Sequence, residues 1–266
     1  MTTMTHTPDT WFAEIAGRKI QLTRAGSGPP LLYLHGALGE SDWFSFVDRL
    51  AEKHTVYLPA HPGFATSEGL ETIDNMQDLA WHYVDFLGSL GLSRVPIVGF
   101  SLGGWLAMQL AILRPELVGP LTLVCPAGIR IAEHPFAELF VDDFDHMRQL
   151  LFGDPKDPIV DQTIPTHMFD SRILPWLRAR EATAKLAWNP YLHDPKLPAH
   201  LHRIRSRTQI IWGEGDRLLP VGLGERIARM IPGTKLTILP NTGHMVPFEQ
   251  PERLAAEVEQ FLAAGS

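Results

Sequence analysis

Cys125 is the only cysteine in 266 residues, so no disulfide can close within the chain, and cysteine usage leaves the compartment open. It ends the apolar run Leu121-Thr122-Leu123-Val124-Cys125, which reads as the end of a buried strand, where a thiol is a small hydrophobe rather than a nucleophile. No apolar run approaches the ~18 residues needed to cross a bilayer. Residues 1–8 lack the basic start and apolar centre of a secretory leader, so a cytoplasmic protein is expected. Lysines and arginines form no run, and the net charge of −7 is spread along the chain, which argues against nucleic acid or a membrane as partner. Internal repeats and low-complexity tracts are also missing.

What is present is an ordinary globular composition, 45% hydrophobic and 20% charged. A chain of this length buries roughly 70–75% of its unfolded surface, enough for a full core without staples. The first third alternates strand and helix signals. Residues 18–23 alternate in polarity, and Pro30–Leu34 is a short continuous apolar run, as in a strand covered on both faces. Asp42 is expected to cap a helix over 43–52, and 54–58 reads as a strand ending at Pro59. In residues 76–90, Met76, Leu79, Ala80, Tyr83, Phe86, Leu87 and Leu90 form one helical stripe, with Gly91 as the stop. Residues 94–98 form a strand, Leu102–Leu113 an apolar helix and 121–125 another strand.

From about Gly128 to His202 the pattern changes: aromatics, prolines and histidines crowd in, with helical pieces at 136–152 and 174–187. The β/α alternation then resumes with strands at 208–212 and Lys235–Leu239, and helices at Gly222–Met230 and 251–264. The expected architecture is α/β: a mostly parallel sheet with helices on both faces. Residues 1–127 and 203–266 form its core, and 128–202 a helical cap inserted into it.

The chemistry concentrates at Gly99-Phe100-Ser101-Leu102-Gly103, a G-x-S-x-G between a strand and an apolar helix. That context makes a strained elbow with the Ser101 hydroxyl raised above the sheet and a helix N-terminus behind it. A serine hydroxyl needs a base. Among twelve histidines, His244 stands in a loop directly after the last strand, where an open sheet builds its crevice. His54, His82 and His146 read as solvated surface or helix positions. Trp212-Gly213-Glu214-Gly215-Asp216 supplies the carboxylate to orient the base. Asp216 is favoured over Glu214 because a short carboxylate on a glycine-bracketed turn can reach back to the histidine.

These segments, with Leu34-His35-Gly36-Ala37 and Pro62-Gly63-Phe64, resemble the α/β-hydrolase fold superfamily over nearly the whole chain. The resemblance implies eight strands, a cap after the sixth, and the order serine, acid, histidine. It also implies an oxyanion hole from the Leu102 and Ala37 N–H groups, with His35 buttressing the loop. Ala60 departs from the acidic residue that relatives often carry there.

The expected reaction is hydrolysis of small apolar carboxylic esters by a monomer or homodimer, without cofactor or metal. Asp142, Asp143, Asp145 and His146 read as a solvated face. Candidate substrate contacts are Phe100, Phe136, Phe140, Phe144, Trp176, Trp188 and Met245. The main rival is carbon–carbon hydrolysis of ring-fission diketones, for which Arg178 and Arg180 could bind a carboxylate. Against it, Phe100 and Met245 stand where those relatives carry Asn and Trp. Cofactor-free haloperoxidase activity and a slow ligand sensor on the same fold are more distant.

Overall fold

The computed structural model describes residues 4–141 and 143–264. Eight strands form one sheet in the order β1-β2-β4-β3-β5-β6-β7-β8: Asp9–Ile15, Arg18–Ala25, Pro30–Leu34, Thr55–Pro59, Val95–Phe100, Val118–Val124, Thr208–Gly213 and Lys235–Leu239, numbered β1 to β8 along the chain. β2 runs antiparallel to β1 and β4, and all other pairings are parallel. The sheet is thus mostly parallel and eight-stranded, as expected.

The reversal of strand order at β3 sets the layers. The helix α1 (Ser45–Leu50) crosses from β3 to β4, and α2 (Met76–Ser89) and α3 (Leu102–Leu113) belong to crossovers running the other way. Right-handed crossovers therefore put α1 on the opposite face from α2 and α3. Accordingly α1 packs on the closing helix (Pro251–Ala263), while α2 packs on α3. The loops after β3 and β5 face each other across this reversal, where open α/β sheets bind ligands.

The central strands are apolar because both faces are covered: Leu31–Leu34 and all of β7 are buried. α2 begins at Asn75, whose side chain accepts the N–H groups of Gln77 and Asp78 at 2.9 Å each.

Four expectations need correction. β1 was not expected; it pairs with β2 through Ala16 and Gly17, both at positive φ, the backbone of a tight hairpin. Asp42 is exposed and caps nothing; α1 starts at Ser45 after Phe44 without a side-chain cap. Of the described residues in 136–152 only Phe144–Leu151 are helical, because the Tyr191 hydroxyl bonds the Leu139 N–H (2.6 Å) and the Ala137 carbonyl (3.1 Å), drawing 137–139 out of a helix. A further helix, Pro158–Thr163, lies between it and Ile173–Ala187. Of the acidic segment, Asp143 caps Phe144–Leu151, Asp145 and His146 are exposed, and Asp142 lies outside the described residues.

The fourth correction is that His54 and His82 are buried; His54 Nε2 lies 3.0 Å from Glu259 Oε1. His82 lies on the inner face of α2 beside Tyr83, and neither of its ring nitrogens has such a partner among the described residues. Burial, with Arg18 as a smaller cause, lowers it from the ordinary 6.5 to about 4. The folded state then binds fewer protons than the unfolded state between those values. Stability is full above about pH 6.5 and falls as the pH drops toward 4. We expect His82→Phe to raise the melting temperature by several degrees more at pH 5 than at pH 8. Equal changes at both pH values in thermal melts would contradict this account of His82.

Candidate active site

Ser101 follows β5 directly at φ 51°, ψ −112°, a conformation strained for a residue with a Cβ. Its N–H donates to Val124 O (2.9 Å), and its carbonyl accepts from Ala127 N (3.0 Å), so β6 and the loop after it hold the elbow. The flanking residues must be glycine because the turn is tight. A Cβ on Gly103 would lie 2.1 Å from Leu34 O, and one on Gly99 2.5 Å from Gly103 O.

His244 Nε2 lies 2.9 Å from Ser101 Oγ, and its Nδ1 lies 2.7 Å from Asp216 Oδ2. All three residues are buried. Asp216 Oδ1 accepts the N–H groups of Leu218 (3.0 Å) and Leu219 (2.8 Å), which fixes the carboxylate plane. A carboxylate only accepts, so Nδ1 carries the proton and Nε2 presents its lone pair to the hydroxyl. Glu214, the rival acid, is exposed and takes no part.

The histidine loop is clamped from outside the sheet. Leu151 O accepts the N–H groups of His244 (2.7 Å) and Met245 (3.1 Å). The Glu249 carboxylate accepts those of Gly153 (2.7 Å) and Gly243 (2.9 Å). Arg217, next to the acid, donates to the carbonyls of Gln149 and Phe152. The segment between β6 and β7 thus holds both the acid and the histidine loops.

The loop after β3 rests on two buried, neutral histidines. His61 N–H donates to His35 Nε2 (3.0 Å), so His35 carries its proton on Nδ1, which donates to Gly36 O (2.8 Å). His61 Nε2 donates to His35 O (3.1 Å), leaving its Nδ1 to accept from the Tyr83 hydroxyl. The rings stack at 3.8 Å. Burial lowers His35 to about 4 and holds His61 well below the usual histidine range. Both imidazoles are thereby committed to shaping the loop. Above them, Thr183 Oγ1 donates to Ala37 O (2.7 Å), tying this loop to Ile173–Ala187. Leu102 opens α3, where helix geometry provides no intrahelical acceptor for its N–H.

Two cavities meet at Leu38 and Glu40. One of about 10 Å³, room for about one water, is lined by Ala37, Phe100, Ser101, His244, Met245 and leucines. The other is a groove of about 1010 Å³ whose walls include Trp43, Phe44, Trp176, Arg178 and Phe248. Of the expected substrate contacts, Phe100 and Met245 line the small cavity and Trp176 the groove. Phe136, Phe140, Phe144 and Trp188 line neither. Phe136 packs on Tyr191 and His193, and Phe140 on Trp188 and Tyr191. Phe144 packs on Trp176, and Trp188 is largely exposed. The sequence reading missed Glu40, Phe44 and Phe248; only the place of Glu40 shortly after His35-Gly36 signalled it.

Cys125 Sγ, a carboxylate oxygen of Asp216 and a ring nitrogen of His244 lie within 4.8 Å of one another, the one such group among the described residues. Burial and then Asp216 push the Cys125 thiol well up, so it stays protonated and donates to Asp216. The Nδ1 and Oδ2 atoms are already bonded to each other, so the cluster is a hydrogen-bonded chain rather than a set of free ligands. No helix among the described residues is long and apolar enough to cross a membrane.

Known proteins are similar to this chain in sequence and in fold. A 2-hydroxy-6-oxo-6-phenylhexa-2,4-dienoate hydrolase of Burkholderia cepacia is 26% identical over 270 residues, covering 93% of this chain and 92% of that one. A monoacylglycerol lipase of Xenopus laevis is 28% identical over 267 residues, covering 91% and 77%. The crystal structure of a putative lipase from Acinetobacter baumannii AYE superimposes with a TM-score of 0.83 at 21% identity, covering 97% of this chain and 91% of that one. The model of the alpha/beta hydrolase family matches residues 31–257, and the chain belongs to that family.

Proposed function

We propose that the chain is a carboxylic ester hydrolase acting through an acyl-enzyme on Ser101. The observation that carries this reading is His244, bonded to Ser101 Oγ on one side and Asp216 on the other, beside a small cavity. In this reading Oγ attacks the ester carbonyl carbon as its proton passes to Nε2. The carbonyl oxygen becomes an oxyanion facing the N–H groups of Ala37 and Leu102. The alcohol leaves with the proton from Nε2. Water, deprotonated by the same nitrogen, then releases the acid and restores the hydroxyl.

The substrate body lies in the groove, whose aromatic and proline walls suit a small apolar ester, with only the reacting carbonyl in the small cavity. Residues 128–202 act as a cap on a core of 1–127 and 203–266. The Thr183–Ala37 bond and the hold of Leu151 on His244 support this division. One protomer carries every group the mechanism uses, so either a monomer or a homodimer would serve.

Carbon–carbon hydrolysis of ring-fission diketones is the second reading, favoured by the Burkholderia relative and by Arg178 in the groove wall. Arg178 donates to Ala65 O, and Arg180 stacks on Trp176 and donates to Leu139 O, so both are engaged with the protein. Phe100 fills the space beside His244 with a ring 5.2 Å away. Ester hydrolysis therefore ranks first.

Purified enzyme should turn over p-nitrophenyl esters of short acids faster than a ring-fission dienoate; the reverse order in parallel assays would favour the second reading. Ser101→Ala should lose ~10⁴-fold or more in kcat while keeping the wild-type melting curve. Activity persisting well above background in that variant would remove Ser101 from the mechanism. Asp216→Asn should lose ~10⁴-fold by freeing the wrong tautomer, and Glu214→Gln should stay within about twofold. Reversal of that pair would move the acid to Glu214.

A further inference from the structure

Glu40 stands where the two cavities meet and lines both. Its Oε2 is fully buried and has no hydrogen-bond partner among the described residues. The nearby cations are committed elsewhere: Arg172 to Asp170, and Arg178 to Ala65 O. Oε2 lies against the loop after β3, where a Cβ on Gly36 would come within 3.1 Å of it. Oε2 makes no bond to that loop, and Glu40 lines the space on both sides of the passage between nucleophile and groove.

We propose that Glu40 is a specificity residue whose carboxyl binds a hydroxyl on the ester substrate, at the passage between the Ser101 cavity and the groove. This rests on the ester-hydrolase reading and adds the substrate class: short esters bearing a free hydroxyl near the scissile bond. A buried oxygen without a partner is poorly satisfied, and a ligand group that bonds it gains binding that an apolar analogue cannot. Burial pushes Glu40 up to about 7, opposed by nearby amides and His244, so acid and carboxylate coexist near neutrality. A hydroxyl accepts from the acid and donates to the carboxylate, so it fits both forms. An ammonium fits only the carboxylate.

The test uses wild type, Glu40→Gln and Glu40→Leu with matched esters. The acyl-side set is the p-nitrophenyl esters of 3-hydroxy-, 3-methoxy- and 3-aminobutyric acids, with butyrate as reference. The alcohol-side pair is glycerol monobutyrate against its dimethyl ether. Wild type should favour the hydroxyl over the methoxy compound by about tenfold or more in kcat/KM in at least one set, chiefly through KM. That ratio should fall to near one in Glu40→Leu and be largely kept in Glu40→Gln, whose amide both donates and accepts. A merely structural role would lower all esters together and leave the ratio intact. A wild-type ratio near one in both sets, a ratio unchanged in Glu40→Leu, or preference for the ammonium ester would overturn the proposal. The wild-type ratio decides even if Glu40→Leu does not fold. Turnover of p-nitrophenyl butyrate separates the two levels: its absence removes the ester-hydrolase reading itself, and its presence with no hydroxyl preference removes only Glu40.

Discussion

The arrangement depends on one imidazole held between a hydroxyl and a carboxylate. His244 can serve both only if three loops, after β5, β7 and β8, end within hydrogen-bonding reach. A parallel sheet makes this possible by bringing the C-terminal ends of those strands to one edge. The order reversal at β3 adds the His35 loop from the other side.

Reaching the edge does not fix an angle, and the remaining contacts do that. Asp216 is oriented by two amides, the histidine loop by Leu151 and Glu249, and the His35 loop by stacked neutral imidazoles and Thr183. Most of these partners are themselves buried. The three side chains are thus held by groups outside the triad, the condition under which fixed dipoles stabilise developing charge well. Strain at Ser101 is tolerated because its N–H is bonded to the neighbouring strand and its carbonyl to the loop after that strand.

Much of this was legible in the sequence, for physical reasons. Pro30–Leu34, Leu102–Leu113, Gly222–Met230 and Lys235–Leu239 carry their burial in their own residues, and their bounds agree with the structure. The glycines about Ser101 mark a turn that no other residue allows. What escaped was decided at a distance. β1 is an antiparallel edge strand with Phe12 exposed, so its alternation is weak. The Tyr191 hydroxyl, some fifty residues downstream, decides that 137–139 are not helical. Phe136, Phe140 and Phe144 read as pocket residues from composition, yet each found another aromatic to pack against. Glu40 went unread because only folding buries its Oε2.

Covalent trapping tests the central claim most directly. The protein is treated with a phosphonofluoridate, which stays on a serine activated by a neighbouring imidazole, and the product is read by intact and peptide mass spectrometry. The account predicts one adduct per chain, on the peptide containing Ser101, and its loss in His244→Ala. An adduct on another residue, or an unmodified chain under conditions that label a known serine esterase, would contradict it.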